Sequence, residues 1–255
     1  MYKRQLLQVS TLGPAPCDRV IARAREDLEW ARAHDNRALE GSTLGRMGEM
    51  LARAGKVGHS QQAFADARAI FEELDLPVHV SYLALSTAIV EPLASDPAAA
   101  ERELRPAIEY FEDSGAKHIA ASLIPVLAGA LVAQGRADEA LELSERTEEI
   151  AATDDLDAQV RWRIARAQAL TAANHLADAE RFAREAVEVA EPGDTVILHA
   201  DALSSLGEVL LAARSPSEAV PVLERAVELY EAKGDVVSTG QRRATLDALT
   251  GTRFL

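Results

Sequence analysis

Apolar residues recur along this chain at spacings of three and four, the interval that lines one face of an α-helix, and short polar or Gly/Pro breaks cut the runs at regular distances. The clearest comparison is between two turn-plus-helix segments, GRADEALELSERTEEIA at 135–151 and RSPSEAVPVLERAVELY at 214–230. Each comes after a helical run, LAGALVAQ at 127–134 and LGEVLLAA at 206–213. Sliding that template along the chain places a small residue at Ser60, Ala100, Ala140, Ala179 and Ala219, in steps of 40, 40, 39 and 40. Twelve residues earlier the same register gives Gly48, Ala88, Ala128, Ala167 and Gly207, and seven residues later Ala67, Ala107, Thr147, Ala186 and Ala226. Three columns of small residues on one period are the mark of a repeat architecture. Where two antiparallel helices cross closely, one must present a small side chain so that the other can approach. Leu51, Leu131, Leu170 and Leu210 then fill the space around the first column, and Phe64, Leu104 and Leu223 the space around the second, whereas Ser144 and Ala183 leave two repeats less filled.

The breaks agree with this register. Within repeats they fall at Gly55–Gly58, Ser95-Asp96-Pro97, Gly135, Asn174 and Ser215-Pro216. Between repeats they fall at Asp75-Leu76-Pro77, Ser114-Gly115, Asp154-Asp155, Pro192-Gly193-Asp194 and Gly234-Asp235. Ser215-Pro216-Ser217-Glu218 has the form of a capping box, and Asp96-Pro97 repeats the order of cap then proline. Pro125, inside the run HIAASLIPVLAGALVAQG, predicts a kink or a late helix start. The expected organisation is a leader and half-repeat helix over 1–35, repeats at 36–75, 76–115, 116–154, 155–194 and 195–235, and a C-terminal helix over 236–255.

Small residues at positions 8, 20 and 27 of the repeat, with a large apolar one at 24, resemble the tetratricopeptide pattern. The resemblance covers 36–235, and 16–34 (PCDRVIARAREDLEWARAH) looks like the second helix of a truncated sixth repeat. It implies an all-α fold, a right-handed superhelix of antiparallel helix hairpins forming an α-solenoid of about five repeats plus partial terminal helices. These repeats exceed the common tetratricopeptide length. The longer form resembles the helical sensor regions of large bacterial transcriptional activators, and 154–249 is similar to the C-terminal part of actinobacterial proteins joining a nucleotide-cyclase domain to an ATPase.

In tetratricopeptide proteins the first helix of each pair lines a concave face. Carried over in register, that implies a groove of Arg46, Glu49 and Arg53, then Tyr82, Leu85 and Ile89, then Ser122, Pro125 and Gly129, then Arg161 and Gln168, and finally Asp201, Ser205 and Glu208. Polar ends around an apolar, small-residue middle suit an extended peptide or an amphipathic helix. The alternative, a set of merely solvated helix faces, stays open. Family members that bind chaperone tails clamp a terminal carboxylate with Lys and Asn. The two asparagines here, Asn36 and Asn174, lie off the clamp positions and the groove has no lysine, which argues against a co-chaperone role.

Composition narrows the picture. Only 4 % of residues are aromatic while 48 % are hydrophobic, which favours close-packed helices over a sandwich or barrel. A net charge of −14 argues against nucleic acid or an anionic membrane as partner. Cys17 is the sole cysteine, so no intrachain disulfide can form and a cytoplasmic location is expected. Four lysines against twenty-three arginines suit a GC-rich bacterial genome. The opening Met-Tyr-Lys-Arg-Gln fits poorly with the helical pattern of the rest of the chain and is read as a non-native leader on a fragment.

No catalytic or metal-binding pattern emerges. Gly55-Lys56 lacks the upstream glycine of a phosphate loop, and GxGxxG, HExxH, GxSxG and calcium-loop patterns are missing. The six histidines are scattered, Trp30 and Trp162 read as packing residues between hairpins, and Cys17 as an inert thiol despite its place near a helix start. No catalytic residue, cofactor or metal is therefore expected. The expected function is a protein-interaction or regulatory module, cut from a larger bacterial signalling or transcriptional protein, with another protein or peptide as partner. Two alternatives remain: a scaffold self-associating through its incomplete N-terminal repeat, and the regulatory tail of a lost nucleotide cyclase or ATPase domain.

Overall fold

The computed structural model describes residues 13–90, 96–191 and 193–251. The expected leader, Ser95 and Pro192 lie outside these. Among the described residues the chain forms twelve α-helices and no strand. They are α1 (Cys17–Ala33), α2 (Arg37–Arg53), α3 (Val57–Glu73), α4 (Pro77–Val90), α5 (Pro97–Asp113), α6 (Lys117–Ala133), α7 (Ala137–Ile150), α8 (Leu156–Ala172), α9 (Leu176–Ala190), α10 (Val196–Ala212), α11 (Pro216–Lys233) and α12 (Val236–Gly251). Each helix packs on the next. In addition α2 touches α4, α4 touches α6, α6 touches α8, and α8 touches α10, so these form a continuous inner layer backed by α3, α5, α7, α9 and α11. This is a helical-repeat solenoid.

One turn geometry, used repeatedly, sets the spacing. Asp35, Gly55, Asp75, Gly115, Gly135, Asn174, Arg214 and Gly234 all sit in the left-handed region, with φ between 49° and 78°. The residue after each donates its N–H back into the last helical turn, as Lys56 does to Leu51 O (2.8 Å), Arg136 to Leu131 O (2.9 Å) and Asp235 to Tyr230 O (2.9 Å). That bond satisfies a carbonyl which the helix end would otherwise orphan and sends the next helix back antiparallel. Asn36, Asp96 and Asp155 then cap α2, α5 and α8 by accepting from Leu39, Ala99 and Ala158 N–H at 3.1, 2.9 and 3.1 Å. The capping box expected at Ser215 does not form. Its side chain caps nothing, and Glu218 accepts instead from Arg184 Nη2 on α9 at 3.2 Å, where a full charge is the stronger partner. Nor does Pro125 delay its helix, since α6 begins at Lys117 and runs through it.

All three small-residue columns are buried. Ser60 Oγ donates to Gly48 O at 2.7 Å, which joins two columns directly at the α2–α3 crossing. A Cβ on Gly48 would lie 2.9 Å from Phe64, and one on Gly207 only 2.4 Å from Leu223, so the same contact recurs in the first and last hairpins. The outer helices add ion pairs roughly one repeat apart, among them Arg105–Glu139 (2.6 Å), Arg136–Glu101 (2.8 Å), Arg68–Glu103 and Arg146–Glu112. Half exposed as most are, each contributes at most about 1 kcal/mol.

Ser144 does leave room, and an arginine fills it. Arg166 of α8 is buried, with its guanidinium 4.7 Å from the Trp162 ring and 4.9 Å from that of Phe182. It donates through Nε to Ser144 Oγ (3.1 Å) and through Nη1 to Glu148 (2.5 Å). Trp162 is thus a packing residue as expected. Trp30 is 38 % exposed and stacks on His34 at the end of its own helix, at 4.1 Å.

The ends of the array meet. α12 touches α2, a Cβ added at Gly234 would lie 3.7 Å from the Cys17 backbone nitrogen, and Lys233 Nζ donates to Gly13 O at 2.7 Å. That bond spans 220 residues in a fold built mainly from contacts between neighbouring helices.

Candidate partner-binding face

End-to-end closure changes the character of the inner layer, because it buries the Arg53 end of that layer against the start of α12. At the seam, Arg53 at the end of α2 donates through Nη1 to Asp235 Oδ2 at 2.9 Å and lies 3.4 Å from Glu49 Oε1 one turn back. Asp235 is held in place by its second duty as the cap of α12, accepting from Ser238 N–H and Oγ, each at 2.9 Å. Tyr230 Oη of α11 donates to Asp201 Oδ1 of α10 at 2.7 Å, and Arg161 Nε to Asp157 Oδ1, one turn back on α8, at 2.8 Å. Arg53, Arg161 and Asp201 come from α2, α8 and α10 yet are close enough to bias one another's charge.

The electrostatics come from that crowding. Burial disfavours the charged form of Arg53, but Glu49, Asp235 and Asp201 outweigh it and hold the guanidinium cationic. Burial also raises the Asp201 carboxyl, against the pull of Arg53, Arg161 and the Tyr230 hydroxyl. Burial lowers Lys233 to about 8 and raises the Cys17 thiol to about 11. Cys17 is 1 % exposed and is an unreactive thiol here despite starting a helix.

The residues expected to line the groove therefore divide. The structure brings Glu49, Arg53, Arg161 and Asp201 together, with Glu49 and Arg53 buried and Arg161 and Asp201 partly exposed. Ser205, one turn from Asp201, is buried and its Oγ has no hydrogen-bond partner among the described residues. Glu208 is exposed and pairs with Arg242 of α12. The structure does not join Tyr82 or Leu85 to this cluster. Tyr82 is 45 % exposed and meets Phe111 edge-on at 5.2 Å, and Leu85 packs partly buried against the α4–α6 core. The side chain of Ile89 lies outside the described part. Ser122 and Gly129 are partly exposed, Pro125 is buried, and Gln168 sits beside Gly129, whose added Cβ would be 3.5 Å from Oε1. Arg46 is partly exposed on α2. Asp157, Tyr230, Lys233 and Asp235 escaped the sequence reading, since nothing local ties residues at opposite ends of the chain to one site.

The chain is an array of stacked helical hairpins with charged residues on its inner layer. A family model for the tetratricopeptide repeat matches residues 199–233, which lie in α10 and α11. The chain superposes on NprR, solved in complex with its cognate peptide NprX, with a TM-score of 0.70 at 14 % identity over 99 % of this chain and 72 % of that one. It also superposes on BtubC from P. vanneervenii, with a TM-score of 0.54 at 17 % identity over 85 % of this chain and 91 % of that one. No curated protein matches it in sequence. The chain has a tetratricopeptide-like helical-repeat fold. No described helix is long and apolar enough to cross a membrane.

Proposed function

We propose that this chain is a regulatory binding module that holds an extended peptide or a partner helix against its inner face, as part of a bacterial signalling or transcriptional regulator. One observation carries the reading. Tyr82 is a large aromatic side chain left 45 % exposed on an inner-layer helix, at the same place in the repeat as Arg161 and Asp201 of α8 and α10. Side chains of this type supply contact area at little entropic cost and anchor protein interfaces. The small and partly exposed residues of α6 beside it, Ser122 and Gly129, leave room for a chain to lie across the layer. The likeness to NprR, a fold solved holding a peptide, supports the reading without identifying the ligand.

The test is a photo-crosslinking amino acid at position 82, compared with one at exposed Arg184 on the outer helix α9, in a bacterial lysate. A discrete adduct at 82 that is missing at 184 is expected, mapping to one segment of one partner. Equal labelling at both positions, or none at 82, overturns the proposal.

A further inference from the structure

We infer that the contact between the two ends of the array is a releasable clasp, and that it controls access to the charged half of the inner face. Its second half rests on reading the inner face as a binding surface; the first does not. Breaking a buried ion pair is costly when it strands a charge with no partner. Opening the seam strands neither charge. Arg53 keeps Glu49, one turn earlier on its own helix, and Asp235 keeps the N–H and hydroxyl of Ser238 at the start of α12. Lys233, whose ammonium donates to Gly13 O in a site with no solvent exposure, regains water.

The topology points the same way. Hairpin stacking in a solenoid is local, so every neighbouring pair of helices survives separation of the ends. Only the seam is lost, and with it the cover over Arg53 and, on this proposal, over its neighbours Glu49 and Ser205. Ser205 Oγ, buried without a partner, is a polar group that the closed state encloses at a cost. The open array thus adds Arg53 and the Ser205 hydroxyl to Arg161 and Asp201, which are already partly exposed, while the closed array withholds the first two.

The protein carries its own reporter. Cys17 is the sole cysteine, buried, and lies where Lys233, Arg53, Asp235 and Glu49 all act on its charge. Its rate of reaction with a small disulfide reagent, measured against urea, reads seam opening without any partner. In the wild type, labelling is expected to depend on urea more weakly than the loss of helix does, which marks a local opening. Asp235→Asn should speed labelling about tenfold or more with the thermal midpoint little changed. Placing the cysteine on the inner face instead (Ser205→Cys with Cys17→Ser) should show the same acceleration by Asp235→Asn, whether or not position 82 ever captures a partner. Wild-type labelling that shares the full urea dependence of unfolding overturns the clasp. So does an unchanged rate in Asp235→Asn. Acceleration at 17 but not at 205 overturns its control of the inner face.

Discussion

Replacing Gly207 by alanine puts a methyl group where Leu223 already stands. The new Cβ would lie 2.4 Å from Leu223 Cδ2 and 2.5 Å from its Cγ, and Leu223 is fully buried, so the branch point itself must move. Overpacking of this kind costs about 1–3 kcal/mol, against which a helical Gly→Ala change recovers about 0.5–1 kcal/mol. The expected net loss is about 1 kcal/mol. In a Leu223→Ala background the obstacle is gone and the same change should gain about 1 kcal/mol, a coupling of about 2 kcal/mol between the sites. Gly240→Ala is the control: it lies in helix α12 with nothing within 4 Å of the new Cβ, and should stabilise by about 0.5–1 kcal/mol. Urea unfolding monitored by both helix signal and tryptophan fluorescence measures all these variants, with coincident transitions as the check that one free energy applies. Equal costs for Gly207→Ala in the two backgrounds would refute the claim that the small columns exist to admit the facing helix.

Arg166→Ala should cost about 3 kcal/mol in the same assay, because the side chain packs between Trp162 and Phe182 in space that no aliphatic residue fills. Glu101 is pushed up by burial but drawn down further, to about 2, by hydrogen bonds from Arg136, Arg105 and Gln134. Its contribution is therefore present above its ordinary pKa of 4.5 and lost as pH falls from there toward 2, about 1 kcal/mol once solvent screening is allowed for; acid titration of Glu101→Gln should lack that component. At the seam two groups work in opposite directions. Lys233, at about 8 against an ordinary 10.5, makes the folded chain bind fewer protons, so stability rises with pH from 8 to 10.5; Cys17, at about 11 against 9.0, makes it fall from 9 to 11. Tyr230, whose hydroxyl burial pushes well above its ordinary 10.0, adds to the fall, so unfolding measured from pH 7.5 to 11 should show a rise, a plateau and a fall, and Cys17→Ser should replace the plateau by a continued rise to about pH 10.

The hairpins were legible in the amino-acid order alone. A 39- or 40-residue period of small residues can be satisfied only where helices cross at fixed intervals, so Ser60, Gly48 and their equivalents announced both the fold class and the buried positions. Left-handed turn residues such as Gly55, Gly135 and Asn174 were legible for the same reason, since backbone geometry restricts residue choice locally. Ser215 misled because a capping sequence says what a side chain can do, and the nearby Arg184 offered its partner Glu218 something stronger. The inner face was legible only in part. Register alone put Glu49, Arg53, Arg161 and Asp201 on one side of their helices, but it could not say that they converge or that Asp235, Tyr230 and Lys233 join them. That depends on the superhelical path, the sum of small rotations at each hairpin junction, and no single residue encodes a sum. The folded array settled it by bringing the side chains of Arg53 and Asp235 within 2.9 Å, which buries the Arg53 end of the inner layer at a seam.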